Sequence, residues 1–111
     1  MSNPLSIMWP GQSEQKYQFW IYKRGTTFTE PCPGIYIHAK ETTPNKRTPV
    51  YIGQTENINV RLKSHEQESC ANRNGATHVH VRIVKDEGVR LREEADLIHC
   101  WKPPCNTHHV G

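Results

Sequence analysis

The chain has 111 residues, a formal net charge of +3 and 34% hydrophobic residues, with a mean hydropathy of −0.80. That length fits one domain with a modest core. The mild basicity favours an anionic partner without naming one, and no stretch approaches the ~20 apolar residues of a membrane span.

The N-terminal segment Met1–Gly11 lacks a basic region followed by an apolar one, so no signal peptide is expected. The four cysteines, Cys32, Cys70, Cys100 and Cys105, are then expected as free thiols of a cytoplasmic protein, with two disulfides as the alternative. Cys100, Cys105, His108 and His109 crowd the C-terminus, but Cys-x4-Cys departs from the usual Cys-x2-Cys spacing of structural zinc sites. Ordinary thiols and a polar tail are preferred there over a zinc-binding adaptor.

In chain order, residues 1–31 read as an N-terminal arm, polar except for Tyr17, Phe19, Trp20 and Tyr22, whose alternation predicts a short strand or an arm packed on the core. Pro31 and Pro33 punctuate the start of the organised domain, 32–111. Residues 34–40 and 49–55 read as two strands around a turn-rich loop, Glu41 to Thr48. Period-two alternation puts Ile35, Ile37 and Ala39 on one face and Tyr36 and His38 on the other. Tyr51 shares the face of Tyr36 if the hairpin register permits. Asn57 to Ser69 predicts a helix, with Thr55 or Asn57 as N-cap. His78 to Val84 predicts a third strand, with His78 and His80 on a solvated face. A second helix is expected from about Gly88 to Trp101, stopped by Pro103-Pro104. The fold class is α+β: a small three-stranded antiparallel sheet flanked by helices.

Two helices carry charges where apolar residues belong. At ~100° per residue, Leu91, Ala95, Leu97, Ile98 and Trp101 form a stripe that contains Glu94, with Glu93 off to the side. A buried carboxylate is costly unless paired, hydrogen-bonded or bound to a cation. From the helix alone, pairing with Arg90 or Arg92 is the plainer explanation. In the first helix Arg61 and His65 fall on the same side as Ile58 and Leu62. A guanidinium there can be a snorkelling side chain, or a donor suited to the charge of a phosphoryl-transfer transition state.

The ordered set Gly34-Ile35-Tyr36, Tyr51-Ile52-Gly53, Arg61, Glu94 and Asn106 resembles the GIY-YIG nuclease superfamily over roughly residues 33–107. His65 matches a histidine found in part of that family, while Gln54 stands where many members carry lysine. The loop between the two tyrosines is longer than usual. The resemblance implies a stand-alone endonuclease module that hydrolyses DNA phosphodiesters with one Mg²⁺ or Mn²⁺ held by Glu94. It implies Tyr36 as general base, Tyr51 assisting, and Arg61 with His65 stabilising charge. Gln54, Lys63 and Asn106 would bind substrate, and Asn106 would also orient the site by hydrogen bonds. A base role for tyrosine needs positive charge to lower a pKa that is ordinarily near 10, and Arg61 is the expected source. DNA, duplex or branched, is the expected partner, with RNA left open, and specificity would come from this module, its aromatic N-terminal arm, a homodimer or a partner protein. A non-catalytic nucleic-acid-binding module of the same fold is the alternative function.

Overall fold

Every strand runs antiparallel to its neighbours in a sheet ordered β1-β2-β5-β3-β4. The computed structural model describes residues 5–28, 30–43, 46–63 and 68–107. The strands are β1 Leu5–Pro10, β2 Lys16–Lys23, β3 Gly34–Thr43, β4 Lys46–Thr55 and β5 His78–Ile83. The helices are α1 Ile58–Lys63, α2 Glu68–Arg73, α3 Glu87–Trp101 and α4 Pro104–Thr107.

The α+β class holds, but the sheet has five strands and not the expected three. The first two strands come from the aromatic lead-in. β2 pairs with the edge of β5 that β3 leaves open, and β1 pairs with β2. A strand edge left bare would expose unpaired backbone groups, and the aromatic side chains supply apolar area to bury. Trp9, Tyr17 and Phe19 all point to the face beneath α3, where they join Ile35, Ile37, Ile52 and Leu97. β1 escaped the sequence reading because Leu5-Ser6-Ile7-Met8-Trp9-Pro10 does not alternate cleanly.

The remaining elements differ in extent. The expected loop 41–48 is mostly strand, since β3 runs on to Thr43 and β4 starts at Lys46, with register shifts after His38 and Glu41. The single helix expected over 57–69 appears as α1 and α2, with residues 64–67 outside the described part. α3 starts one residue before its expected position. Asp86 caps it by accepting from the Val89 N–H at 2.9 Å, and Lys102, in the left-handed region at φ 44°, closes it by donating its N–H to Ile98 O. Pro103 follows directly.

The buried stripe of α3 is rotated from the expected one. Arg90, Glu93 and Leu97 are its buried residues, whereas Leu91 is 44% exposed and Ala95 also faces outward. Glu93 is held by Arg82, whose Nε and Nη2 donate to its two carboxylate oxygens at 2.8 and 3.2 Å. A carboxylate met by a two-pronged guanidinium can be buried, and hydropathy counts cannot register that pairing.

Among the cysteines, Cys70 and Cys105 are disulfide-bonded, tying α2 to α4 across a sequence separation of 35. Free thiols were expected at both. The fold brings their Cα atoms to 6.0 Å, inside the range a disulfide spans. Cys105 is therefore lost to any zinc set, His108 and His109 lie outside the described residues, and Cys32 and Cys100 are free. With that bond formed, free thiols no longer speak for a reducing cytosol. No described helix is long and apolar enough to cross a membrane.

His80 is buried and not on a solvated face. Trp9 Nε1 donates to its Nδ1 at 2.9 Å, and burial, followed by the charges of Arg47 and His78, lowers its pKa to about 4. The folded state therefore binds fewer protons than the unfolded chain between pH 6.5 and 4, so stability is lost as pH falls through that window. A shift from 6.5 to about 4 corresponds to roughly 3 kcal/mol. Thermal unfolding should show a marked drop from pH 7 to 4.5 that shrinks in His80→Gln. An unchanged pH slope in that variant would assign the drop to other groups.

Candidate active site on the tyrosine-bearing sheet face

The β3–β4 register settles which side chains meet. Tyr36 pairs with Gly53 and His38 with Tyr51, so all four positions lie on one face of the sheet. The Tyr36 ring lies 5.9 Å from that of Tyr51 and 5.8 Å from that of His38, and His38 lies 6.4 Å from Tyr51. The two tripeptide glycines are required by close approach. A Cβ at Gly53 would sit 2.5 Å from Tyr36 Oη and 2.6 Å from its Cζ. A Cβ at Gly34 would overlap the Arg82 carbonyl oxygen on β5. One glycine gives the tyrosine room, and the other lets β3 close on β5.

Helix α1 covers this face. Asn57 caps it, its Oδ1 accepting from the Val60 N–H at 3.3 Å. Ile58 is fully buried against Tyr36, Val79 and Val81. That anchoring presents Arg61, one turn on, to the tyrosines, and its charge acts on Tyr36. Glu94 approaches from α3 and acts on the same group. The Tyr36 hydroxyl thus feels Tyr51, Arg61 and Glu94 together.

Their sum runs against the sequence expectation. The Tyr36 pKa is pushed up from its ordinary value, first by burial, then by Tyr51 through charge and a side-chain hydrogen bond, with Glu94 adding to the rise. Arg61 lowers it, as expected, but burial outweighs one partly exposed guanidinium. Glu94 is half-buried, and burial raises its carboxyl pKa as well. Neither Arg90 nor Arg92 pairs with it. Arg90 Nε donates to Gln54 Oε1 at 2.8 Å and its Nη1 to the carbonyls of Val84 and Lys85, while Arg92 lies on the outer side of α3, by the cleft against the 11–15 turn.

The other expected residues are placed differently. Asn106 clamps Ile52: its Oδ1 accepts from the Ile52 N–H at 2.8 Å and its Nδ2 donates to the Ile52 carbonyl at 2.9 Å. It completes the outer edge of β4 between Tyr51 and Gly53, as a neighbouring strand would. Gln54, held by Arg90, lines a cleft of about 470 Å³ together with Glu56, Asn57, Arg61, Glu87 and Arg90. Lys63 ends α1, and His65 lies outside the described residues. Arg90 was missed from sequence. Its spacing from Glu94 and Leu97, four and seven residues, marks the same helix face and was the available signal.

A cation is compatible with this donor set. Glu94 is a half-buried carboxylate with no hydrogen bond or ion pair to a described residue. Among the described residues no group of three or more His, Cys, Asp or Glu side chains converges. One carboxylate with otherwise non-protein oxygens suits a hard cation such as Mg²⁺, which retains several waters.

No protein-family model matches the chain, and no curated protein is significantly similar. Solved structures do match. Three are point mutants of the GIY-YIG N-terminal endonuclease domain of UvrC from Thermotoga maritima, each bound to its catalytic divalent cation. They share 26–27% sequence identity with this chain at TM-scores of 0.56–0.57. The matches cover 68–70% of this chain and 83–87% of the solved domain. By the architecture of its sheet and these matches, the chain has a GIY-YIG-like fold.

Proposed function

We propose that this chain is a divalent-metal-dependent endonuclease hydrolysing phosphodiester bonds in DNA. The carrying observation is the convergence on one hydroxyl, that of Tyr36, of Tyr51 from the paired strand, Arg61 from α1 and Glu94 from α3. In this reading the Tyr36 phenolate takes a proton from the attacking water as the water oxygen bonds to phosphorus and the opposite P–O bond breaks. Tyr51, whose ring lies 5.9 Å from that of Tyr36, orients the Tyr36 oxygen. Arg61 donates to the phosphoryl oxygens as their charge grows. Glu94 is the cation's ligand, and Asn106 holds the Tyr51–Gly53 strand straight through its clamp on Ile52. A bound Mg²⁺ or Mn²⁺ would supply Lewis-acid activation of the phosphate and positive charge in the field of Tyr36. Without such charge Tyr36 stays protonated across the physiological range, because burial prevails over Arg61.

One such site among the described residues would nick one strand at a time, whereas a dimer could cut both. The test is plasmid nicking with Mg²⁺. Arg61→Ala should lose about 10²–10³-fold, the range for removing one transition-state donor. Tyr36→Phe should lose nicking while keeping DNA affinity. If both variants fold and still nick, the assignment fails. Binding by the unmodified protein with no metal-dependent cleavage would leave a non-catalytic nucleic-acid-binding module.

A further inference from the structure

The tyrosine face does not end at β5. In the cross-strand register Trp20 on β2 pairs with Val81 on β5, and Val81 pairs with Tyr36 on β3. Directly paired residues share a face, so Trp20 and Tyr36 stand in one row, two strand spacings or about 10 Å apart. Val81 between them is buried, but Trp20 is 40% exposed. Met8 on β1 and Ile83 on β5 are exposed large apolar residues too. Met8 pairs with Gln18, two residues from Trp20, so it shares the face. Ile83 does as well, two residues from Val81. Beyond Trp20 the segment after β2 turns back over the sheet, where Phe28 packs edge-on against Tyr22 at 5.0 Å. It leaves the Trp20 end uncovered by any contact seen among the described residues.

The charge of this part of the sheet is one-sided. β1, β2 and β5 contain no Asp or Glu, and of their basic residues Lys16 is the one on the Trp20 face. Lys23, His78, His80 and Arg82 belong to the α3 side, where Arg82 is paired with Glu93 and His80 is buried. Lys16 lies four residues before Trp20 and so on its face. An exposed indole flanked by a cation, continuous with a candidate phosphodiester site, is the arrangement that stacks a nucleobase while its phosphates meet lysine. We infer that Trp20 is a stacking platform for an unpaired base of the substrate strand, close to the cleavage point, and that this module favours DNA with single-stranded or splayed nucleotides there. The inference rests on the nuclease reading. A span of about 10 Å is some three steps of B-form strand at ~3.4 Å per step, and fewer where the strand is unstacked. A base inside a continuous duplex already has both faces covered, so it cannot use the platform without leaving the stack.

The test measures binding of fluorescently labelled single-stranded, flapped and fully duplex oligonucleotides in EDTA, beside plasmid nicking in Mg²⁺. Trp20→Ala should weaken the single-stranded and flapped complexes about tenfold or more, as expected for loss of one base–aromatic stack, and change the duplex complex much less. Trp20→Phe should restore most of the loss, and an unchanged melting temperature would show that both variants fold. Intrinsic fluorescence should be quenched by the single strand through Trp20, since Trp9 is buried and Trp101 is partly buried and donates to Pro10 O. Unchanged affinity of Trp20→Ala for all three DNAs, with nicking by the unmodified protein intact, overturns the platform and leaves the nuclease reading standing. A dimer in sedimentation that Trp20→Ala dissociates without altering DNA affinity overturns it in favour of a surface between copies of this chain. If the unmodified protein neither binds nor nicks DNA, the nuclease reading fails and the platform with it.

Discussion

Glu94→Gln should abolish metal-dependent nicking, lowering the rate about 10³-fold or more, while the protein folds at least as stably as before. The first part follows from removing the carboxylate that would hold the cation, whose charge stabilisation is worth several kcal/mol. The second follows from where Glu94 sits. Its carboxylate is half-buried without an ion pair or hydrogen bond to a described residue, and burial already raises its pKa. An uncompensated charge in that position costs stability, and glutamine keeps the shape while removing the charge. Melting curves supply a readout independent of activity. Mn²⁺ should raise the melting temperature of the unmodified protein and leave Glu94→Gln unmoved, because a ligand that binds only the native site stabilises it by mass action. Nicking by the variant at more than about a tenth of the unmodified rate (less than 1.4 kcal/mol of barrier) would remove Glu94 from the site. Reduced stability would show that the carboxylate has a structural partner.

Gly53→Ala is expected to damage both fold and site although it adds a single methyl group. Its Cβ would lie 2.5 Å from Tyr36 Oη, 2.6 Å from Cζ and 2.8 Å from Tyr51 Cε2. None of these atoms is the loose end of a flexible chain. The Tyr36 ring is buried with Ile58, Val79 and Val81, so it cannot swing aside without opening that cluster. Overpacking of this kind costs about 1–3 kcal/mol, and a displacement of about 1 Å at the reacting group can cost 10²-fold in rate. Nicking should fall about 100-fold or more, and the denaturant midpoint should drop. The two effects share one cause, so the stability cost should shrink when Tyr36→Leu is added, the coupling expected of residues in contact. Full nicking with an unshifted midpoint in Gly53→Ala would mean that the strand relaxes freely at this point.

How far the site was legible follows from the range of each interaction. Alternation along β3 and β4 is local, so the division between Ile35, Ile37 and Ala39 on one face and Tyr36 and His38 on the other could be read directly, and the structure keeps it. The limits of α3 were close because Asp86 and Pro103 act on their immediate neighbours. Arg61 and Glu94 stood out as charges on faces that should be apolar, and both act on Tyr36. The stripe of α3 was misread because the residues it buries, Arg90 and Glu93, are made tolerable by Gln54 and Arg82 from distant strands. Asn106 is expected to orient the site by hydrogen bonds, but nothing beside it in sequence shows that its partner is the backbone of Ile52, 54 residues away.

The order and chemistry of the site residues were determined by the sequence alone. Two tyrosines on strands that can form a hairpin, an arginine on the following helix and a carboxylate on the last long helix carry the resemblance to the GIY-YIG superfamily, and it is that resemblance that implies a phosphodiester chemistry. Tertiary structure decided the rest: that the aromatic lead-in adds two strands to the sheet, that Cys70 meets Cys105, that Trp20 lines up with Tyr36, and that burial drives the Tyr36 pKa upward despite Arg61. The reason is physical. Periodicity and capping act over a few residues, whereas strand pairing, desolvation and the sum of charges at one hydroxyl are set by segments the chain brings together only on folding.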